Sequence, residues 1–288
     1  MQAYLDIIRE ILETGVKKEN RTGIDTIATS GLTFNHDMSK GFPLLTTKQM
    51  PFKCIASELE FFIKGITDKQ WLQDRKNHIW DEWCSPLKVR YGHDDVTKME
   101  MKQERDLGPI YGWQWRHFGA EYKSFDTPYT GFGYDQLANV VNDLKDNPND
   151  RRMIVSAWNP LDLHKMALPP CHYSWQVTVT GDKLNLMWNQ RSVDSVLGLP
   201  FNIASYGILL HLLARESNLR EGKLTGFLGD THIYANQMDG IEEQLSRTPY
   251  DLPKIKTKNF TSIFDWQYTD TVRGEYKSHD KISFDIAV

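Results

Sequence analysis

Tyr173-Ser174-Trp175-Gln176-Val177-Thr178-Val179-Thr180, then Gly181-Asp182, then Lys183-Leu184-Asn185-Leu186-Met187-Trp188-Asn189-Gln190-Arg191 decide the fold. Two alternating runs meet at a two-residue turn, which reads as a β-hairpin. With a side-chain period of two, Leu184, Leu186 and Trp188 take one face, and Asn185, Met187, Asn189 and Arg191 take the other. Immediately before the hairpin stands Leu168-Pro169-Pro170-Cys171-His172, and after it come Ser192-Val193-Asp194 and Gly198-Leu199-Pro200-Phe201-Asn202. A thiol is the strongest side-chain nucleophile near neutral pH when a neighbouring cation lowers its pKa, and Arg191 is such a cation if the fold brings these strands together. A lone cysteine beside a proline pair is more often a small buried hydrophobe. The two readings are separated by what the rest of the chain brings to the site.

Working outward, Tyr4, Ile7, Ile8, Ile11 and Leu12 recur at helical spacing before Gly15, which predicts an N-terminal helix. The polar stretch 17–23, which carries Arg21, reads as a loop ahead of a β-rich run over 26–34. Residues 58–63 predict a second helix ended by Gly65, and 134–144 an amphipathic helix ended by Asn147-Pro148. Met153 to Trp158 reads as a buried strand, Asn202 to Leu213 as a long apolar helix, and 226–234 as a further strand. Residues 85–106 are dense in charge and lack apolar periodicity, so they predict a solvated surface insertion without a function of its own. No repeat, linker, dinucleotide-binding glycine turn or phosphate-cradling loop divides the 288 residues. The expectation is an α+β protein, with the whole chain (1–288) forming one domain.

Composition narrows the partners. A chain 40% hydrophobic and 25% charged supports an ordinary packed core, and a net charge of −4 gives no global attraction to nucleic acid or to a membrane surface. An anionic ligand must therefore be met by a local arginine cluster. Cys54, Cys84 and Cys171 are an odd number without metal-ligand spacing, so neither a disulfide framework nor a metal site is expected. A reducing, cytoplasmic location fits this usage. The N-terminal residues lack a basic segment followed by an apolar run, so secretion and membrane insertion are not expected.

Arg21, Arg116, Arg151, Arg152 and Arg191 stand in polar or turn contexts, and planar guanidinium groups that converge would make a phosphomonoester site. Scattered surface charge is the alternative. Seven motifs bear on the choice: Asn20-Arg21-Thr22-Gly23, Ile79-Trp80-Asp81-Glu82-Trp83, Gly108 to Arg116, Asp150-Arg151-Arg152, Ala167 to His172, Gln190 to Asn202, and Gly229-Asp230-Thr231-His232-Ile233-Tyr234. Taken together, and in this order, they resemble the thymidylate synthase family. The resemblance implies a mixed β-sheet flanked by helices, a homodimer joined sheet to sheet, and dUMP and 5,10-methylenetetrahydrofolate as substrate and co-substrate, with no metal and no nucleic acid required. It further implies that Cys171 adds to C6 of the pyrimidine. Arg21, Arg191 and Ser192 would hold the phosphate, joined by Arg151 and Arg152 from a second subunit. Asn202 would read the uracil edge, His232 and Tyr234 would bind the sugar hydroxyl, and His172 and Gln190 would complete the nucleotide side. Glu58 and Tyr111 would manage protons. Lys48, Ile79, Trp80, Trp83, Asp194, Gly198, Phe201 and Val288 would form the folate side, with Ile286-Ala287-Val288 resembling a tail that closes over the site and excludes water.

Four positions depart from the family's usual pattern. Asn189 stands where Tyr is typical, Glu60-Phe61 where Leu-Trp is typical, and Gln237 where His is typical. Asn189 and Glu60, like Trp113 after Tyr111-Gly112, match the pattern of the related pyrimidine hydroxymethylases. Those enzymes add water to the exocyclic methylene where the synthases reduce it. Reductive methylation is the first expectation. A dUMP 5-hydroxymethylase, its cavity hydrated by Glu60 and Asn189 acting as product-specificity residues, is the second. A silent homologue that binds nucleotide or RNA is the third, and the joint presence of Cys171, Glu58, Arg191 and Asn202 argues against it.

Overall fold

The computed structural model describes residues 1–20 and 23–284. In chain order its helices are α1 (Gln2–Thr14), α2 (Phe52–Ile63), α3 (Gln70–Gln73), α4 (Asp95–Gln103), α5 (Tyr111–His117), α6 (Gln136–Asp146), α7 (Gly198–Glu216) and α8 (Met238–Ser246). The strands are β1 (Val16–Lys18), β2 (Thr26–Asp37), β3 (Ile154–Ser156), β4 (His172–Thr180), β5 (Lys183–Asp194), β6 (Arg220–Tyr234), β7 (Ile255–Thr257) and β8 (Thr271–Arg273). Six of them form one mixed sheet in the order β1-β2-β6-β5-β4-β3, and β7 and β8 pair separately.

The hairpin forms as its alternation predicts. Thr180 pairs with Lys183 across Gly181-Asp182, and Gly181 takes the positive φ of +63° that the first residue of this tight turn requires. Leu184, Leu186 and Trp188 are buried, and Trp188 stacks on Tyr206 of α7 with ring centroids 5.2 Å apart. Among the described strands only β5 and β6 run parallel, because α7 carries the chain from the end of one back over the sheet to the start of the other. This covered face, with Phe34, Trp175, Leu224 and Leu228, is the main core. The opposite face is partly open, carrying Asn189, Met187 and Gln176, with Phe227 46% exposed. The mixed α+β architecture is as the sequence implied.

Several elements differ from expectation in extent. α7 starts at Gly198, four residues ahead of Asn202, because Asp194 turns the chain there by accepting from the amides of Val196 (3.0 Å) and Leu197 (2.9 Å). Val16–Lys18 pairs with β2 and overlaps the start of the stretch 17–23 expected to be a loop, and 153–158 yields only the short edge strand β3, where Ile154 is 50% exposed. Residues 85–106 contain α4, which buries only Met101. Gly15 ends α1 without the left-handed conformation (φ −69°); a Cβ there would lie 2.3 Å from the Ile11 carbonyl oxygen, so close approach explains the residue. Among the described residues, no helix is long and apolar enough to cross a membrane.

Candidate active site

Cys171 sits at the entrance to β4, where the chain has left Pro170 and pairing with β5 begins. Its carbonyl accepts from the Arg191 amide at 2.8 Å, so the hairpin does bring thiol and cation residues side by side. The Arg191 guanidinium bends over the proline pair, donating from Nε to the Pro170 carbonyl (2.9 Å) and from Nη2 to that of Pro169 (2.8 Å), and lies 5.4 Å from the Trp158 ring. No carboxylate among the described residues pairs with it, so its charge is left for an anion.

Below Cys171 the floor is aromatic. Its amide donates to the Tyr111 hydroxyl at 2.8 Å, and the Tyr111 ring lies 4.4 Å from His172, 5.0 Å from Phe62 and 6.1 Å from Trp80. Burial raises the Tyr111 phenol well above its ordinary value and pushes the His172 imidazole down to about 3. His172 is therefore neutral, with Nδ1 2.9 Å from the Tyr206 hydroxyl. Glu58, reaching in from α2, accepts from the Trp80 indole at 2.8 Å; burial raises its carboxyl to about 7, an effect that the Trp80 bond opposes.

On the other side of the strand, Gln190 donates from Nε2 to Asn202 Oδ1 at 3.0 Å and accepts the Trp188 indole N–H at 3.1 Å. Gly198 lies between Asp194 and Asn202: a Cβ on it would sit 3.5 Å from the Asp194 side chain and 3.9 Å from Asn202 Oδ1. Ser192 pairs with Asp230 across the parallel β5–β6 ladder, and Asp194 with His232. His232 is buried, its Nδ1 2.8 Å from an Asp230 oxygen, while the other Asp230 oxygen is ion-paired with Lys18. Asp230 thereby fixes the ring and leaves Nε2 for a ligand. Tyr234 lies two residues on, its ring 5.2 Å from that of His232.

Trp80 and Trp83 meet edge to face at 6.3 Å, with Ile79 packed beside them against the core. Lys48 donates to the Val196 carbonyl at 2.7 Å beside Asp194; burial lowers its ammonium to about 8, an effect that Asp194 opposes. Phe201, one residue before Asn202, is half buried at the first turns of α7. A buried indole and a half-buried one, an aliphatic-aromatic wall and one carboxylate form a lining that fits a flat heterocycle bearing N–H donors.

Other expected members stand elsewhere. Arg21 and Val288 lie outside the described residues. Arg151 and Arg152 are exposed, Arg152 is bonded to Asp150, and among the described residues neither shares a hydrogen bond with the residues around Cys171. Arg116 is held by Asp135 and the Ile63 carbonyl. The expected hydration of one cavity by Glu60 and Asn189 does not follow from their placement. Two residues along a helix turn a side chain to the opposite side, so Glu60 is buried away from Glu58, paired with Lys64 and accepting from the Tyr268 amide at 2.8 Å. Asn189 bonds to Ser174 Oγ at 3.1 Å on the partly open sheet face. Gln237 is buried just beyond β6. Sequence reasoning gave no role to Tyr206, Phe62 or Asp230. Only Asp230 had a signal, its place two residues before His232 in a motif already singled out.

A thiol on an aromatic floor, an oriented carboxamide and an arginine without a carboxylate partner among the described residues lie together, an arrangement suited to nucleophilic chemistry on an anion. The family model for thymidylate synthase matches residues 2–288. The chain is 45% identical over 285 residues to a bifunctional dihydrofolate reductase-thymidylate synthase of Paramecium tetraurelia, covering 99% of this chain and 61% of that protein. Similarity to the enzyme of the same name from Leishmania major is 43% over 289 residues (99% of this chain, 55% of that protein). A putative one from Oryza sativa subsp. japonica is 40% identical over 286 residues (99% of this chain, 57% of that protein). The chain thus spans only 55% to 61% of the length of these relatives. It belongs to the thymidylate synthase family.

Proposed function

We propose that this chain, acting over residues 1–288 as one catalytic domain, converts dUMP to dTMP with 5,10-methylenetetrahydrofolate as co-substrate, in a reducing compartment such as the cytoplasm. The observation that carries the reading is the adjacency of Cys171 and Arg191 across paired strands, with Gln190 on the same strand holding Asn202 of α7. Cys171 adds through sulfur to C6 of the uracil, making C5 nucleophilic. Arg191 and Ser192, with Arg21, bind the phosphate. Asn202, its Oδ1 engaged by Gln190, presents Nδ2–H to the pyrimidine O4, and His232 and Tyr234 bind the sugar hydroxyl.

Glu58, with a carboxyl near 7, holds or yields a proton close to neutral pH, the condition a general acid or base needs at O4. Tyr111 remains a phenol, takes the Cys171 amide, and orders the groups through which the C5 proton departs. The folate, when bound, supplies the one-carbon unit and the hydride. Trp80, Trp83, Ile79, Phe201, Gly198, Asp194 and Lys48 would hold it, with Val288 closing the site against water. Reduction is favoured over hydration because Glu60 is committed to Lys64 and Tyr268. Arg151 and Arg152, exposed and remote from their own thiol, are read as cations given to a second subunit across the half-open sheet face, which would make the enzyme a homodimer.

Incubation with dUMP and 5,10-methylenetetrahydrofolate followed by weighing of the nucleotide tests the reaction. A gain of one methyl group with formation of dihydrofolate is expected. A hydroxymethyl product with tetrahydrofolate, or no product, overturns the assignment.

A further inference from the structure

Lys69 is 1% exposed and, among the described residues, meets no carboxylate at hydrogen-bond distance. Its ammonium instead donates to three backbone carbonyls: Asp81 at 3.1 Å, Trp83 at 2.9 Å and Met101 at 2.6 Å. Three donors meet three acceptors, so the group is fully satisfied; two of the acceptors lie in an irregular turn and the third in the last turn of α4, where helix carbonyls lack intrahelical partners. Asp81 and Trp83 lie in the turn that follows Trp80, and Met101 is the one buried residue of α4. The Lys69 amide donates to the Arg105 carbonyl, and Ser85 donates to that of Asp106, so entry to and exit from residues 85–106 are tied at the same neck. From the turn the chain of contacts runs on: Trp83 packs on Trp80, whose indole N–H donates to Glu58 at 2.8 Å.

We propose that Lys69 is a positioning residue of the folate half-site, setting the Trp80–Trp83 turn through its carbonyls and making the 85–106 insertion a structural part of that half-site. The inference rests on assigning these tryptophans to the folate side. The nucleotide half, built on β4, β5 and α7, shares no hydrogen bond with Lys69, so the two halves should respond differently to its loss. Burial lowers the ammonium's pKa without removing its fitness for neutral carbonyl partners.

The test compares the wild type with Lys69→Met, which keeps the aliphatic stem and removes all three donors, and with Lys69→Gln, which keeps two. The methionine variant should raise the KM for 5,10-methylenetetrahydrofolate at least ~10-fold while the Kd for dUMP stays within ~2-fold, and the glutamine variant should fall between. With 5-fluorotryptophan incorporated, the 19F resonances of Trp80 and Trp83 should shift or broaden in both variants. Unmoved resonances with an unchanged folate KM, even alongside a lower Tm, would reduce Lys69 to a stability residue and overturn the proposal. A wild type that turns over no dUMP would defeat the functional assignment separately, and the fluorine spectra would still decide whether Lys69 sets the turn. If Lys69→Met does not fold, the glutamine variant decides by the same two readouts.

Discussion

Gln190 donates from Nε2 to Oδ1 of Asn202 at 3.0 Å, while its own Oε1 takes the Trp188 indole N–H at 3.1 Å. Each amide is thereby given one orientation. With Oδ1 of Asn202 engaged, its Nδ2 is the group left to meet a ligand, and a donor there suits the carbonyl at C4 of uracil.

Asn202→Asp replaces that donor with an acceptor while Gln190 can still donate to one carboxylate oxygen. Cytosine offers an amino donor where uracil offers a carbonyl, so selectivity should move from dUMP towards dCMP. A buried polar mismatch costs about 1–3 kcal/mol, which predicts a change of at least ~10-fold in the ratio of kcat/KM values. An unaltered ratio in competition assays would show that Asn202 does not face the base.

Cys171→Ser should lose turnover and keep dUMP affinity, because the hydroxyl fits the space but lacks thiolate nucleophilicity. Arg151→Glu should also be inactive, through a missing phosphate cation. Mixing the two variants under conditions of subunit exchange should restore activity, since one site of the mixed dimer then has both its thiol and the partner's arginines. Demonstrated mixed dimers without recovered activity would refute the shared site.

Glu58 carries its proton to about pH 7 in the folded protein, against an ordinary value of 4.5. Between those values the unfolded chain has released the proton and the native chain has not, so this group lowers stability as pH rises through the window and is level above it. Glu58→Gln removes that slope. Relative to the wild type, the variant should gain up to about 3 kcal/mol between about pH 5 and about pH 8 in urea unfolding. A constant difference across that range would contradict the raised carboxyl.

Glu60→Leu should act on stability and not on product. The change leaves the Tyr268 amide without its acceptor and Lys64 without its partner, at a cost of about 1–3 kcal/mol. The nucleotide product should be the same as for the wild type. Appearance or loss of hydroxymethyl product in the variant would return Glu60 to the cavity.

What the sequence made legible follows from local rules. The Gly181-Asp182 turn, the alternation of β5 and the apolar faces of α1 and α7 need only neighbouring residues, and pairing of the hairpin brings Arg191 beside Cys171. Long-range partnership was not legible. Nothing near Glu60 announces that Tyr268, 208 residues away, donates its amide to that carboxylate. An alternating strand does not name a side chain's cross-strand partner, so the bond from Asn189 to Ser174 on the half-open face is visible only in the paired hairpin. Lys69 looks like one more surface charge until the fold surrounds it with carbonyls. The direction of the Asn202 amide, too, depends on a partner twelve residues away that reaches it only when β5 and α7 pack together.

The covalent role of Cys171 is tested most directly by trapping. In 5-fluoro-dUMP, fluorine replaces the C5 proton that must leave, so the adduct should persist once the methylene carbon has been transferred from 5,10-methylenetetrahydrofolate. Intact-protein mass followed by peptide mapping should find nucleotide and folate together on the peptide containing Cys171, and none on Cys171→Ser. An adduct on Cys54 or Cys84, or dTMP formation by the serine variant, would contradict the mechanism.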